Sequence, residues 1–330
     1  MNTDLEYTGS HLYHRFLGRN PTETELDDLV KYGLGYGGYI WEDPRLRSQS
    51  SDVPILLLFS SCHCEQILQY LKLYRPDILE SHSVNILFTH RLLLHRGHFN
   101  LDLIHAIFGH ADKVLTNNMN LKFQELSTVA LLPHCKPTCR IVTFVPPSFA
   151  ALWPVVRYFG EEPVAKAKLE GKSLGDLIRE FHEGTLDCMF GQRYAQQIER
   201  LVECEKNCDV GISDFMKRNL KTHRLFFTSN HMTGHVAAHI TNKALGWMGF
   251  RMDAEDHALS LPTNFANFTN HWPEEKYAWD YFQFQYPMRY TEDWGGSSAF
   301  YPAVIQEIYN SMTDPAAVLA NPNVPVELQS

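Results

Sequence analysis

Residues 53–73 read VPILLLFSSCHCEQILQYLKL, and this stretch decides the fold. The apolar run at 55–59 predicts a buried β-strand, because parallel strands covered on both faces are almost continuously apolar. A short polar loop, SSCHC, follows at 60–64, and residues 65–73 then have the apolar spacing of an amphipathic helix. A strand that passes through a short loop into a helix is the repeating unit of an α/β protein.

The same alternation continues as far as residue 247. Further strands are predicted at 84–88, 113–115, 140–145 and 224–227, and helices at 101–108, 121–132, 174–181, 192–205 and 233–247. Strands that alternate with helices of this length predict an α/β fold with a parallel sheet flanked by helices.

Two further regions flank this predicted α/β domain. Residues 1–48 predict a small, self-contained helical module, in which Thr22 and Glu25 have the spacing of a capping box. A polar linker at 45–52 leads to the catalytic domain at 53–250. Residues 251–330 predict a C-terminal segment that wraps around this domain, with a helix near 303–309. The many aromatic residues at 272–301 favour a core over a surface for sugar rings.

The composition excludes several classes of protein. The net charge of -9 argues against a nucleic-acid partner, which needs a basic surface. No apolar stretch approaches the roughly 20 residues of a membrane-spanning helix, and the polar N-terminus has no secretion signal. Seven cysteines in a chain of 330 residues indicate reduced thiols. We therefore expect a cytoplasmic enzyme.

Polar residues follow each of the five predicted strands. The five loops are Ser60–Cys64, Thr89-His90-Arg91, Thr116-Asn117-Asn118, Pro146-Pro147-Ser148 and Ser229-Asn230-His231. Ligands of open parallel sheets bind at the carboxyl ends of the strands. These loops therefore predict a site that contains thiol, hydroxyl, imidazole and amide groups, which suit acyl transfer or hydrolysis.

Cys62 and His63 are the first candidate catalytic residues. Cys62 is placed where a strand gives way to a helix, and the free N–H groups and dipole of a helix start lower the pKa of a thiol and stabilise an oxyanion. The structural alternative is that Cys62 is a small buried apolar residue. Asn117 offers a side-chain N–H to the same oxyanion, although Asn-Asn after a strand is also an ordinary turn sequence.

His231 is the candidate general base. With His235 and His239 it has the i, i+4, i+8 spacing of one helix face, and we interpret the last two as surface or core residues. A zinc site formed by these histidines and the Cys-x-Cys pair at Cys62 and Cys64 is a remote alternative, because no Cys-x2-Cys pair accompanies them. We therefore expect no metal. The chain also lacks Walker, G-x-G-x-x-G and G-x-S-x-G sequences.

Several blocks, in order, resemble the WcbI polysaccharide-biosynthesis family of acetyltransferases over residues 53–250. They lie at 60–63, 111–128, 145–154, 209–215 and 224–231. Where the family has Gly-Asn-Cys-Gln, this chain has Ser60-Ser61-Cys62-His63, and the proline after the family's histidine is Met232. In addition, Leu12–Pro21 resembles a small module with an LGR sequence that recurs in glycan-assembly proteins.

The resemblance implies a layout like that of SGNH hydrolases and transfer of an acetyl group from coenzyme A to a sugar hydroxyl. It also implies a role in capsule or exopolysaccharide assembly. The expected ligands are therefore acetyl-coenzyme A and a carbohydrate acceptor, and a homo-oligomer is possible. His231 is then the base, either for the acceptor hydroxyl or for Cys62 if an acyl-thiol intermediate forms. The backbone at Ser60, Ser61 and His63 contributes to the oxyanion and ligand contacts together with Asn117.

The coenzyme phosphates are assigned to groups beside the predicted strands: His90, Arg91, Lys221 and Arg224.

Two alternatives to the acyltransferase stay open at this stage. One is an SGNH-like carbohydrate esterase or deacetylase that uses the same site with water as acceptor. The other is a glycan-binding or scaffold protein without catalytic activity.

Overall fold

The centre of the molecule is a five-stranded sheet in the order β1-β3-β2-β4-β5. The computed structural model describes residues 3–34, 37–42, 53–119, 121–153, 155, 161–254, 256–266, 272, 276–287 and 297–320. The strands are β1 (Ile40–Glu42), β2 (Ile55–Ser60), β3 (Ser83–Phe88), β4 (Lys113–Asn117) and β5 (Arg140–Phe144). Strands β2 to β5 are parallel, and β1 pairs antiparallel with β3 at one edge. The predicted mixed α/β architecture with helices around a central sheet is confirmed.

Helices cover both faces of this sheet. They are α1 (Thr3–Leu17), α2 (Glu23–Asp28), α3 (His63–Tyr74), α4 (Pro76–Ser81), α5 (Thr89–Leu94), α6 (Leu101–His110), α7 (Thr128–Leu131), α8 (Glu162–Leu169), α9 (Leu174–Glu183), α10 (Phe190–Glu205), α11 (Ser213–Asn219), α12 (Gly234–Trp247), α13 (His257–Ser260), α14 (Lys276–Phe282), α15 (Ser297–Ser311) and α16 (Pro315–Ala320). None of the helices in the described ranges is long and apolar enough to cross a membrane.

Alternating side chains of β2 point into two separate hydrophobic clusters. Leu56 and Leu58 belong to the cluster on one face of the sheet, and Leu57 and Phe59 belong to the cluster on the other. Every residue of β2 is buried, as the continuous apolar run predicts. The sheet is therefore a central layer, and its two covered faces leave the strand ends as the accessible part.

The strand predicted at 224–227 does not belong to this sheet. The observed strand is β6 (Phe226–Thr228), which pairs antiparallel with β7 (His231–Met232) in a separate hairpin. The fifth strand of the main sheet is β1, within the predicted helical module. It was missed because three residues are too few to show a period-2 pattern.

The N-terminal region packs against the central sheet. Leu12, Tyr13 and Phe16 of α1 lie in the same hydrophobic cluster as Leu57 and Phe59 of β2. An amphipathic helix needs an apolar surface to cover, and the sheet provides one. The segment therefore shares the core of the α/β domain.

The helix predicted over 121–132 is interrupted. A 3₁₀ segment, Leu121–Leu126, contains Gln124 with φ 52°, and α7 begins only at Thr128. The left-handed φ at a non-glycine residue ends the regular helix. The helix predicted near 303–309 is confirmed within α15, whose Ile305 and Ile308 are buried in the cluster opposite the N-terminal helix.

Candidate active site

Polar residues from different strands meet at the carboxyl edge of the sheet. Ser60 at the end of β2 lies beside the last residue of β3, and Asn117 at the end of β4 lies beside the last residue of β5. The turn of the β6–β7 hairpin reaches the same edge, because the Phe149 N–H donates to the Ser229 carbonyl at 2.6 Å. The structure thus brings together the loops that follow separate strands.

Cys62 is the N-cap residue of α3 and is mostly buried. Burial raises the pKa of its thiol to about 11, while the contact with the Ser61 hydroxyl and the charge of Arg91 oppose this rise. The sequence led us to expect a lowered pKa from the helix start. The structure differs because the loss of water around the sulfur outweighs the favourable dipole. Cys62 is therefore a neutral thiol at pH 7.

Ser61 and His63 form a hydrogen-bonded pair beside this thiol. The Ser61 Oγ lies 2.9 Å from the His63 Nδ1, and the His63 Nε2 lies 3.1 Å from the carbonyl oxygen of Asn230. A carbonyl oxygen can only accept, so the Nε2 carries the proton and the Nδ1 accepts from the hydroxyl. Burial lowers the pKa of His63 to about 4, so the ring is neutral at pH 7.

His231 lies across the site on the short strand β7. Its Nδ1 is 2.7 Å from the Thr228 Oγ1, and that hydroxyl donates to the Asn230 Oδ1 at 3.0 Å. With the hydroxyl proton used in this way, the Nδ1–H of His231 donates to Thr228 and its Nε2 keeps a lone pair. Burial lowers the pKa of His231 to about 4. The geometry thus provides a neutral imidazole that is able to accept a proton.

The expected histidine face of a single helix is only partly present. Helix α12 begins at Gly234, so His231 precedes the helix and is not part of it. His235 is buried and hydrogen-bonded to the Ala258 carbonyl, and His239 is buried and stacked on Phe215 with a ring distance of 4.2 Å. The interpretation of the last two as ordinary core residues is confirmed.

Several buried polar atoms around the site have no hydrogen-bond partner among the described residues. The Asn117 side chain is 0 % exposed, yet neither its Nδ2 nor its Oδ1 is paired. The same is true of Thr89 Oγ1, His90 Nδ1, Ser148 Oγ and Ser229 Oγ. Unpaired buried polar groups are costly and rare, and they concentrate at functional sites. Here they follow the ends of separate strands.

His90 completes a cluster of three neutral histidines with His63 and His231. Burial first, and then the charge of Arg91, lowers the pKa of His90 to about 4. His231 and His90 add to the lowering of the pKa of His63, after the larger effect of burial. Within the described ranges, no group of three or more His, Cys, Asp or Glu side chains is arranged to hold a metal ion.

A cleft of about 430 Å³ lies along the flank of α3, and its lining includes Phe88 and Arg91, on either side of His90 in the sequence. Its volume falls within the range of small-molecule sites. The side chains that give it chemical character are Trp41, Glu65, Gln69, Lys72, Phe88 and Arg91. The Lys72 Nζ lies 5.1 Å from the Trp41 ring centroid, and the Arg91 guanidinium lies 4.1 Å from that of Phe88. The lining of the cleft therefore combines two cationic side chains with two aromatic rings.

Of the four predicted phosphate-binding residues, two lie at this site and two do not. His90 and Arg91 are at the start of α5, where Arg91 pairs with Glu65 at 2.7 Å. Lys221 is exposed and precedes β6, and Arg224 is buried against Phe227, with a bond to the Trp272 carbonyl at 3.4 Å. Both therefore lie at the open end of the β6–β7 hairpin, away from the turn with His231.

The model of one protein family, described as "Polysaccharide biosynthesis enzyme WcbI", matches residues 55–253. This span is more than half of the chain. The chain belongs to the WcbI family. The family resemblance of the blocks at 53–250 is thereby confirmed, and all of the residues that we place at the carboxyl edge lie within the match. No curated protein matched the chain.

A solved structure of WcbI is similar to this chain, with a TM-score of 0.58 and 14% identity over 82% of this chain and 95% of that chain. That protein is described as a novel polysaccharide biosynthesis enzyme, in its native form without a disulfide bond between coenzyme A and one of its cysteines. At this identity the likeness shows the fold alone. Membership of the WcbI family comes from the sequence match.

The sequence of this WcbI family member did not reveal every residue of the site. Thr228 and Asn230 orient the two histidines, and Trp41 and Lys72 line the cleft. Asn230 was in a predicted strand-end loop, but only the folded turn shows that its carbonyl faces His63. Trp41 belongs to an edge strand and Lys72 to the last turn of α3, and the sequence at these positions contains no signal of a ligand.

Proposed function

We propose that this chain is a coenzyme A-dependent O-acyltransferase that transfers an acetyl group to a sugar hydroxyl in bacterial capsule or exopolysaccharide biosynthesis. The observation that carries the proposal is the cleft lined by Arg91 and Lys72, which also touches Phe88 and Arg91 on either side of His90 in the sequence and Glu65 near the start of α3. The membership of a family of polysaccharide biosynthesis enzymes supports it. The layout is proposed to be that of SGNH-type enzymes, with nucleophile and base on loops after the strands.

Coenzyme A fits the chemistry of the cleft. Its adenine ring can stack on Trp41, and its phosphates can pair with Arg91 and Lys72. Arg91 already has a carboxylate partner in Glu65, which is half-exposed, so a phosphate can replace it at small cost. The charge of Arg91 also lowers the pKa of the Cys62 thiol, against the larger effect of burial.

His231 is the proposed base for the acceptor hydroxyl. Its Nε2 takes the proton as the hydroxyl oxygen attacks the thioester carbon, and the carbon–sulfur bond then breaks. The coenzyme sulfur leaves with the proton from His231. Asn117 and the backbone N–H groups at the start of α3 are proposed to stabilise the oxyanion. Asn117 suits this role because its buried amide has no partner among the described residues.

A carbohydrate esterase is the second candidate. The observation in its favour is the Ser61–His63 pair at 2.9 Å, because a hydroxyl bound to an imidazole also serves hydrolysis. The two functions differ in the acceptor. Acetate release from an acetylated glycan without coenzyme A would identify the esterase.

Calorimetric titration with coenzyme A, acetyl-coenzyme A and 3′-dephospho-coenzyme A tests the proposed ligand. We expect micromolar binding that weakens without the 3′-phosphate, and a loss of about tenfold or more in Arg91→Gln and Lys72→Gln, since each removes a charge-assisted contact. Lys217→Gln is the matched control, because this lysine is exposed on α11. The absence of binding at millimolar ligand, or equal weakening in the control, contradicts the proposal.

A further inference from the structure

Ser61, His63 and the Asn230 carbonyl form a hydroxyl–imidazole–carbonyl chain of hydrogen bonds, which can activate the hydroxyl as a nucleophile. We propose that Ser61 is a covalent acyl acceptor in this enzyme and that His63 is its general base. The inference rests on the proposed acyltransferase function and adds a residue and a step to it. Ser61 and His63 also mark two of the positions at which the chain departs from the Gly-Asn-Cys-Gln block.

The hydrogen-bond directions carry the argument. The Asn230 carbonyl oxygen, 3.1 Å from the His63 Nε2, can only accept, so it fixes the proton on that nitrogen. The Nδ1 therefore faces the Ser61 hydroxyl with a lone pair at 2.9 Å. A nucleophile within hydrogen-bond reach of a base, with the base oriented by a third group, is the geometry of an activated hydroxyl. All three groups are placed by the backbone of α3 and the hairpin turn.

Among the contacts described for the neighbouring thiol of Cys62, there is no imidazole that could take its proton. Its Sγ lies 3.9 Å from the Ser61 Oγ, a contact in which the hydroxyl is already used by the imidazole. Burial also raises the pKa of Cys62, so the reactive thiolate is scarce at pH 7. An imidazole takes the proton of Ser61 directly, and no thiolate is required.

The acetyl group passes through Ser61 in two steps. The Ser61 oxygen attacks the thioester carbon, and its proton passes to the His63 Nδ1. The carbon–sulfur bond breaks, and the sulfur of coenzyme A receives that proton. In the second step a sugar hydroxyl gives its proton to the His231 Nε2, and its oxygen attacks the carbonyl carbon of the serine ester. The bond from that carbon to the Ser61 oxygen breaks, and the Ser61 oxygen receives the sugar's proton from His231. The Nε2–H stays on the Asn230 carbonyl throughout.

A purely structural role for the pair is the competing explanation. In that case the hydroxyl only satisfies a buried imidazole, and Ser61 is 5 % exposed. The two explanations differ in one measurable respect, because only a nucleophile gains an acetyl group. The test therefore follows the acetyl group itself as well as activity.

The experiment mixes the full-length protein with acetyl-coenzyme A without acceptor, stops the reaction within milliseconds to seconds, and locates the acetyl group by peptide mass spectrometry. We expect it on Ser61 as an ester that withstands neutral hydroxylamine. It should be absent in Ser61→Ala, present in Cys62→Ala and formed about 100-fold more slowly in His63→Gln, since a positioned base contributes this much. Ser61→Ala should still bind coenzyme A in the calorimeter, which shows that it folds.

Three results would overturn the inference in a protein that binds coenzyme A and transfers acetyl groups. They are an acetyl group on Cys62 that neutral hydroxylamine removes, no acetyl group on Ser61 at any time, and full transfer activity in Ser61→Ala. A wild-type protein that neither binds coenzyme A nor transfers acetyl groups instead contradicts the proposed function on which the inference rests. The calorimetric result separates these cases.

Discussion

At the start of α3, burial has a larger effect on the pKa values of Cys62 and His63 than the dipole of the helix has. A helix N-terminus stabilises an anion by at most about 2 kcal/mol. The rise in the pKa of Cys62 from 9.0 to about 11 corresponds to about 3 kcal/mol in favour of the neutral thiol. The same desolvation keeps His63 neutral. The sequence shows which residues stand at a helix start, but it does not show how much water reaches them.

The buried histidines make the stability depend on pH. His63 has a pKa of about 4 in the folded protein and 6.5 as its ordinary value, so the unfolded chain binds the proton first as pH falls. The contribution of His63 is fully present above pH 6.5 and is lost between about 6.5 and 4. For a fully buried ring this amounts to something on the order of 3 kcal/mol.

We therefore expect the free energy of unfolding, measured with denaturant, to decrease from pH 7 to pH 4. His63→Gln should show a shallower decrease, because glutamine does not titrate. His110→Gln is the control, since this histidine is exposed at the end of α6. An unchanged pH dependence in His63→Gln would show that another group is responsible.

The β6–β7 hairpin is the element that assembles the two halves of the site. Its turn presents the Asn230 carbonyl to His63 and places His231 beside Thr228. The turn also ties α3 to the hairpin through the bond from the Gln66 amide to the Met232 carbonyl at 2.7 Å. The position of this short element, and not of the main sheet alone, therefore determines the geometry of both histidines.

Thr228 is a positioning residue for His231 in this hairpin. Thr228→Val keeps the shape of the side chain and removes the hydroxyl that contacts the His231 Nδ1. For the proposed acetyl transfer we expect kcat to fall on the order of tenfold or more with KM little changed, because the proposed base loses its orientation but the proposed ligand contacts remain. Thr228→Ser restores the hydroxyl and should recover most of kcat. If valine and serine are equally impaired, packing and not the hydrogen bond is responsible.

At the same scale, the strands show what can be predicted from sequence. The mostly apolar runs at 55–59 and 84–88 place β2 and β3 almost to the residue, and the loops predicted after them contain Cys62, His63 and His90. The edge strand β1 and the separate β6–β7 hairpin were not foreseen, because strand pairing depends on partners far along the chain. The contact between His63 and Asn230 spans 167 residues and is visible only in the fold.

On the scale of the whole molecule, the three predicted regions share cores on the two faces of one sheet. Leu12 of α1 is 0 % exposed in one hydrophobic cluster, and Ile305 of α15 is 0 % exposed in the other. A core that is continuous with the central sheet folds cooperatively with it. The N-terminal helix and the C-terminal helix are therefore expected to unfold together with the catalytic domain.

Leu12→Ala and Ile305→Ala test this cooperativity from opposite faces of the sheet. Each creates a cavity in a close-packed cluster and should lower the free energy of unfolding by about 2–5 kcal/mol. Leu94→Ala is the control, because Leu94 is 77% exposed and should change stability by less than about 0.5 kcal/mol. Fluorescence and circular dichroism should report one coincident transition in all three variants. A separate early transition in Leu12→Ala, with the main transition unmoved, would mean that the N-terminal region folds on its own, as the sequence pattern had suggested.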